Sequence, residues 1–263
     1  MSQRFMKYIK SLKGALRQEV LRICTNWRIY VCMASITLIC FCIKWDSSMR
    51  GAFWAIEQIT GINNISYLMA IVAAFPTICC FCDDWRGHYT FPAVSRSGKN
   101  TYLHAKVLVT YLTSFLITFI GIMVYEFAEL LWLNPGIESN VSSEQLYYDI
   151  LQMSPALFIM VRVMMYSAVI ALQSLMGLMI SAILPNRFVA VLSPVVMYIC
   201  FENIMDILPK NFNIGMIEGG RKVLEAGSAG NIIFSLCVIL FYAVIIASIF
   251  CKIAGGRIKN EIV

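Results

Sequence analysis

Apolar and polar stretches alternate along most of this chain of 263 residues. Each apolar stretch carries few charged residues and is comparable in length to the ~20 residues that a helix needs to cross a bilayer. Six such stretches occur, and we predict a spanning helix in each: residues 29–43, 65–82, 107–133, 157–184, 188–208 and 231–253. The pattern therefore predicts an all-α, polytopic membrane protein with a six-helix transmembrane domain over residues 29–253.

Residues 1–28 follow a different pattern. Their apolar residues recur at intervals of three and four, with lysines and arginines on the other faces. This spacing predicts an amphipathic helix that lies in the cytoplasmic headgroup layer. No uninterrupted apolar core follows the basic residues within the segment, so we do not interpret it as a signal peptide. Residues 254–263 are predicted to form a short cytoplasmic tail.

The composition supports a membrane protein. Hydrophobic residues make up 59% of the chain and charged residues 14%, whereas soluble domains are about 25% charged. The spans leave no stretch large enough for a soluble catalytic domain, so water-soluble chemistry would have to come from a partner. The net charge of +6 is distributed by topology rather than gathered on one face, which favours membrane lipid over nucleic acid as the basic residues' partner.

The distribution of Lys and Arg predicts the orientation. The predicted segments on one side of the membrane hold fifteen of these residues, those on the other side hold five, and Arg162 lies within a span. Because cytoplasmic loops carry an excess of Lys and Arg, we expect both termini and residues 83–106 to be cytoplasmic, in a plasma membrane.

Residues 83–106, DDWRGHYTFPAVSRSGKNTYLHAK, form a long polar stretch with aromatic residues among its charges. This mixture favours a short amphipathic helix that docks into a groove of a partner. The alternative is a loop whose aromatic and basic residues lie there because the membrane interface favours them. The candidate docking residues are Asp83, Asp84, Arg86, Gly87, His88, Tyr89, Phe91, Ser95 and Arg96.

This stretch contains an ordered set of features: Phe81, an acid at Asp83 or Asp84, Gly87, a helical segment at 89–94, Ser95-Arg96, Tyr102 and Lys106. With the predicted topology, this order resembles the membrane subunit of a type-2 ABC exporter, the ABC-2 permease family. In sequence the resemblance covers only this loop. Asp replaces the family's usual Glu, and Pro92 falls inside the family's coupling helix, where Pro fits only the first turn. With Thr90 as the N-cap, that helix would begin later.

The resemblance implies a mechanism. Two permease subunits, identical or homologous, would form a dimer, and each would dock its coupling helix into a separate cytoplasmic ABC ATPase subunit, present in two copies. The Gly98-Lys99-Asn100 segment lacks the upstream Gly and the Ser or Thr of a phosphate loop. We therefore expect no enzymatic activity, cofactor or metal in this chain, and assign ATP and Mg²⁺ to the partner.

The resemblance also suggests a substrate class. The small size and the lack of a large external domain resemble the bacterial branch that exports, or confers resistance to, antimicrobial peptides including lantibiotics. The expected substrate is a hydrophobic or amphipathic molecule that moves outward.

Charged residues inside the predicted spans cluster toward the external side. A charge at this depth is costly unless it is paired or hydrated, so Arg162 should have acidic partners on a neighbouring span. We hypothesise an external gate or translocation path, and the alternative is a buried ion pair that fixes helix register. The candidate path residues are Glu126, Glu129, Arg162, Tyr166, Gln173, Glu202 and Asp206.

Three other classes of protein stay open. A secondary transporter usually has paired polar residues and broken helices at mid-membrane in both halves, which this chain does not concentrate there. An intramembrane enzyme would need acidic residues and histidines converging at one depth, yet both histidines lie in residues 83–106. Nothing in the sequence excludes a non-catalytic membrane sensor or scaffold.

Overall fold

The computed structural model describes residues 2–45, 56, 59–60, 63–132, 149–150, 154–205, 209–224 and 227–262. These residues are mostly helical, and none of them forms a strand. A 3₁₀ turn at Lys210–Phe212 precedes the eighth helix. The helices are α1 Ser2–Cys24, α2 Trp27–Trp45, α3 Asn63–Arg86, α4 Thr90–Ser97, α5 Lys99–Trp132, α6 Pro155–Ile183, α7 Arg187–Met205, α8 Ile214–Glu218 and α9 Ser228–Ile262.

The all-α prediction is confirmed, and the chain has several helices that fit a multi-pass membrane protein. Four helices are long and apolar enough to cross a bilayer, namely α3, α5, α6 and α9. The helices α1 and α2 meet this criterion only as a pair, and they are bent by 62° at their junction. The apolar part of α7 is shorter, from Arg187 to Cys200. By length and composition the described residues therefore provide four spanning helices, or five if the bent pair is one span.

Helix α6 lies at the centre of the bundle. It packs against α3, α5, α7 and α9, and most of its side chains are buried. Its N-terminus is favourable because Pro155 occupies the first turn, where its missing N–H costs nothing. Small residues such as Ala171, Ser174 and Gly177 let neighbouring helices approach closely. The arrangement of the other helices is thus set by their contacts with α6.

The bundle has two polar ends, which we name after the short helix at each. The α4 end contains the C-termini of α3, α6 and α9 and the N-termini of α2, α5 and α7, and α1 also packs there. The α8 end contains the opposite termini of these helices. Helices α1 and α9 both reach the α4 end.

The C-terminal part of α9 packs against the α4 end. Arg257 Nη1 donates hydrogen bonds to the carbonyl oxygens of Ala182 at 2.7 Å and Ile183 at 2.9 Å. These carbonyls end α6 and have no intrahelical partner, so a cation there satisfies them and also complements the helix dipole. The guanidinium carbon lies 4.8 Å from the ring centroid of Trp85 on α3. Residues 254–262, predicted as a tail, therefore continue α9 and connect α6 with α3.

Helix α1 is amphipathic. Ala15, Glu19 and Ile23 are buried on the side that packs against α5, whereas Ile9 and Val20 are exposed. Ser11 Oγ donates to the Ser97 carbonyl at 2.8 Å, which also joins α1 to the end of α4. The exposed apolar side chains give α1 a surface suited to a headgroup layer.

Gly121 allows α2 and α5 to approach closely. A Cβ at this position would lie 2.8 Å from Ile36 Cγ2 and 3.1 Å from the Met33 carbonyl oxygen. Thr37 Oγ1 donates to the Gly121 carbonyl at 2.8 Å across the same contact. A larger residue would have to separate the two helices.

We expect Gly121→Leu to destabilise the protein by about 1–3 kcal/mol because it overpacks this contact. Gly256→Leu is the matched control, since Gly256 is also helical and has nothing within 4 Å of its Cβ position. Thermal unfolding of the purified variants in detergent measures the difference. Equal melting temperatures for the two variants would show that the α2–α5 contact does not depend on a small residue.

Candidate functional site

The connection between α3 and α4 is a tight turn with an unusual residue at its centre. The His88 amide donates to the Trp85 carbonyl at 3.3 Å, and the Tyr89 amide donates to the Asp84 carbonyl at 2.9 Å. This pair of bonds is the Schellman pattern, in which the central residue is left-handed and usually Gly. Here that residue is His88, with φ +54°. The turn therefore carries local backbone strain that a glycine would avoid.

Helix α4 begins and ends later than the predicted segment 89–94. Tyr89 is its N-cap, in a helical conformation and without a side-chain capping bond, and the helix continues to Ser97. Thr90, considered above as a possible N-cap, is instead the first helical residue and is buried. Pro92 falls in the first turn, where its ring and missing N–H are tolerated.

One face of α4 is exposed and the other packs on the bundle. Thr90 is buried, and Ala93 and Val94 pack against the hydrophobic core. Tyr89 is 43% exposed, and Ser95 and Arg96 are also exposed. His88, Arg86 and Gly87 in the preceding turn are exposed as well, whereas Phe91 is half-buried and stacks on His88 at 5.9 Å between ring centroids. We call His88, Tyr89, Pro92, Ser95 and Arg96 the α4 outer face.

A cluster of four charged residues lies near the start of α4, and three of them, Glu19, Asp84 and Lys106, are buried, whereas the Arg22 side chain is 36% exposed. Asp84 has no exposed side-chain surface and forms ion pairs with Arg22 and, at 2.7 Å, with Lys106. Lys106 also binds Glu19 Oε2 at 2.6 Å. Two carboxylates and two cations make the cluster neutral, which is the condition for burying charges at tolerable cost. The cluster joins α1, α3 and α5, and we call it the buried charge cluster.

Asp83 forms a second, more exposed set of contacts. Arg187 Nε donates to Asp83 Oδ1 at 2.6 Å, and Arg28 Nη1 lies 3.7 Å from Asp83 Oδ2. The hydrogen bond to Asp83 raises the pKa of the Arg187 guanidinium above its ordinary value. Arg86 Nε donates to the Pro185 carbonyl at 3.1 Å. Of the predicted docking residues, Asp83, Asp84 and Arg86 thus bind other parts of the same chain. The other predicted docking residues are exposed, except for the half-buried Phe91.

At the α8 end, Arg162 is buried between a loop and two helices. Its Nε and Nη2 donate to Thr60 Oγ1 at 3.1 and 2.7 Å. Its guanidinium also packs against Gly220, where a Cβ would lie 2.5 Å from Arg162 Nη1. Gly220 has φ +68° and ends α8 in a Schellman turn, with bonds from Gly220 to Ile217 and from Arg221 to Met216. A glycine at position 220 therefore both allows the turn and leaves room for the Arg162 guanidinium.

Tyr166 lies one turn further along α6 and belongs to the same polar region. Its hydroxyl is 3.0 Å from Ser66 Oγ on α3 and is fully buried. Glu218 on α8 is buried and accepts a hydrogen bond from the Tyr198 hydroxyl on α7. Arg162 and Glu218 both lie within electrostatic range of Tyr166. The structure thus brings two predicted path residues together with Glu218.

Gln173 follows Tyr166 by two turns on α6. It is 1% exposed, and neither its amide oxygen nor its amide nitrogen has a hydrogen-bond partner among the described residues. A buried amide without a partner is costly in an apolar environment. This position therefore requires an explanation such as a water molecule or a ligand.

The other predicted path residues lie on different helices. Glu126 and Glu129 on α5 are buried near α2, where Phe41 packs edge-to-face on Tyr125 at 4.9 Å between ring centroids. Glu202 lies in α7, and its side chain is outside the described part of the chain, as is all of Asp206.

Sequence reasoning missed Glu19, Arg22, Thr60 and Glu218. Glu218 lies between the predicted spans 188–208 and 231–253, in a segment rich in glycine, and Asn213 Oδ1 accepts from the amides of Gly215 and Met216 and so caps α8. Asn213 followed by apolar residues at 214 and 217 was an available signal for a buried helical turn. No comparable signal identified Thr60 or the partners of Asp84.

Comparisons of this chain with family models, with curated proteins and with solved structures found no match. Over the described residues, the fold is helical and has four or five helices that are suited by length and composition to crossing a membrane.

We expect Asp84→Asn to destabilise the protein by about 3–5 kcal/mol, because Lys106 and Arg22 would share only Glu19 as a buried counter-charge. Asp83→Asn should cost under about 1 kcal/mol because its ion pair with Arg187 is partly exposed. Adding Lys106→Met to Asp84→Asn restores a neutral cluster and should recover part of the loss. Thermal unfolding in detergent measures all three, and equal losses for the Asp83 and Asp84 variants would contradict this interpretation.

Gly220→Ala should destabilise the protein in two ways, through its positive φ and through displacement of Arg162. A double-mutant cycle with Arg162→Ala separates them. We expect the loss of stability caused by Gly220→Ala to be smaller in the Arg162→Ala background, by about 1 kcal/mol or more, since coupled neighbours show interaction energies of this size. An identical cost in both backgrounds would mean that only backbone strain is involved.

Proposed function

We propose that this chain is the permease subunit of an ABC exporter, and that the α4 outer face docks into a separate ATPase subunit. The observation that carries the proposal is a short amphipathic helix between α3 and α5, whose inner face packs on the bundle while its outer face is exposed. An exposed helix face with Tyr89 and Arg96 has the composition of a docking surface. The strained His88 turn adds support, because such strain clusters at functional positions.

The contacts of α4 would allow it to transmit force. Its first residue follows the Schellman turn that ends α3, and Gly98 joins its last residue directly to α5. The Arg22 guanidinium carbon lies 5.0 Å from the ring centroid of Tyr89, and Arg22 also binds Asp84. A displacement of α4 by a partner would thus act on α1, α3 and α5 through the buried charge cluster.

The translocation path would run along α6. Arg162, Tyr166 and Gln173 share one side of this helix at spacings of four and seven residues. Buried polar groups inside a membrane bundle mark pathways more often than surfaces, and the unpartnered Gln173 amide suits a hydrated or substrate-filled path. Arg162 with Thr60, Tyr166 and Glu218 would form the external gate. We also assign four further acidic residues to the path, namely Glu126, Glu129, Glu202 and Asp206.

In the full assembly, six spans would place both termini and the α4 end in the cytoplasm of a bacterial cell. Two permease subunits would pair with two ATPase subunits, which hold ATP and Mg²⁺. The substrate would be a hydrophobic or amphipathic molecule moving outward, and an antimicrobial peptide fits this class. The alternatives are an intramembrane enzyme and a non-catalytic sensor or scaffold, neither of which would need an ATPase on the α4 outer face.

A photo-crosslinking residue in place of Ser95 tests the docking surface. In native membranes we expect it to capture a chain that contains the phosphate loop and signature motif of an ABC ATPase, identified by mass spectrometry. Arg96→Glu should then reduce co-purification of that ATPase at least about tenfold, the effect of about 1.4 kcal/mol. Lys252→Glu is the control, because it makes the same charge change on exposed α9 surface.

Two outcomes would contradict the proposal. If no ATP-binding chain is captured from membranes in which the crosslinker is present and active, no ATPase docks on the α4 outer face. Equal loss of co-purification with Lys252→Glu would show that only overall charge matters.

A further inference from the structure

A groove between α3 and α7 opens at the α4 end, away from both the α4 outer face and the proposed path along α6. Its volume is about 730 Å³. Three arginines, Arg28, Arg86 and Arg187, line it together with apolar side chains that include Phe75, Phe188 and Leu192. Basic residues and apolar residues thus share one continuous cavity.

The arginines leave a net positive charge at this groove. Asp83 neutralises one of the three, through its contacts with Arg187 and Arg28. Arg86 is held over the cavity by its Nε bond to the Pro185 carbonyl, and the described residues provide no other hydrogen bond to its guanidinium. The three arginines and Asp83 together carry a net charge of +2, and Arg86 has no acidic partner among the described residues. Guanidinium groups are well suited to bind phosphate oxygens.

The N-terminus of α7 adds to this positive potential. Helix α7 begins at Arg187, and Asn186 Oδ1 accepts from the Phe188 amide at 3.1 Å. Asn186 also lines the groove. The positive end of the α7 dipole therefore points to the same region as the arginines.

The apolar part of the groove has the depth of a lipid acyl chain. Phe75 and Arg86 are eleven residues apart on α3, which is about 16 Å along a helix. Half of the hydrocarbon core of a bilayer is about 15 Å thick. When the arginines lie at the headgroup level, the groove extends to about the middle of the membrane. Phe188 is 83% exposed and Leu192 58%, so an acyl chain can enter this groove from the side.

We propose that this groove binds an anionic phospholipid, with the phosphate at Arg28, Arg86 and Arg187 and one acyl chain along Phe75 and Leu192. Charge complementarity and the combination of a basic opening with an acyl-sized apolar wall support this occupant over a zwitterionic lipid. The inference does not depend on the proposed transport function.

Lipid binding to the purified full-length protein in detergent tests this proposal. We expect phosphatidylglycerol to raise the melting temperature more than phosphatidylcholine of the same acyl chains, and native mass spectrometry to show retained phosphatidylglycerol. Inorganic phosphate at millimolar concentration should give little stabilisation, because it lacks the acyl chain. Stabilisation by phosphate equal to that by phosphatidylglycerol would overturn the lipid assignment and indicate a simple anion site.

The variants Arg28→Gln and Arg86→Gln together should weaken phosphatidylglycerol binding at least about fivefold. The control is Lys252→Gln with Lys259→Gln, which removes the same charge from exposed residues of α9 at the same end. Leu192→Trp gives a second, uncharged variant that narrows the groove and should also reduce lipid retention. If the α9 control weakens binding as much as the arginine pair, or if Leu192→Trp folds and binds normally, the groove is not the lipid site.

Discussion

The structure depends on the buried neutral cluster of Glu19, Arg22, Asp84 and Lys106. Each member has a partner of opposite charge on another helix, so the buried side chains of Glu19, Asp84 and Lys106 are paired only when α1, α3 and α5 lie in one arrangement. Such clusters add little net stability, yet any displacement that separates them exposes an uncompensated charge to an apolar interior. Helix α4 begins six residues after Asp84, and Arg22 of the cluster also contacts its N-cap residue Tyr89, so the cluster connects the start of α4 to the bundle.

The helices could be predicted because their signal is local. The apolar runs predicted at 65–82, 107–133, 157–184 and 231–253 coincide with the four long apolar helices α3, α5, α6 and α9. The number of true spans could not be derived, because α1 and α2 qualify only as a bent pair and α7 has a short apolar part. The ion pairs between helices could not be predicted from the sequence either, because Asp84 contacts Arg22 and Lys106 only when three helices have packed together.

The polar site was predicted in part. Arg162 and Tyr166 lie one turn apart on α6, so their shared face followed from helical periodicity, and both are buried near Glu218. Glu218 and Gly220 come from a segment whose glycines and mixed charges are typical of a solvated loop. The short α8 folds back onto α6 and α7 because Asn213 caps it and Ile214 and Ile217 are buried. This tertiary contact outweighs the low helix propensity of the segment.

The hydrogen bonds from Arg257 to the last carbonyls of α6 attach the C-terminal part of α9 to the central helix. Because the same guanidinium covers Trp85, the final turns of α9 link the most buried helix to the one that leads into α4. Any tilt of α9 must carry the end of α6 with it or break both bonds. The ends of α6 and α9 would consequently shift together as long as both hydrogen bonds persist.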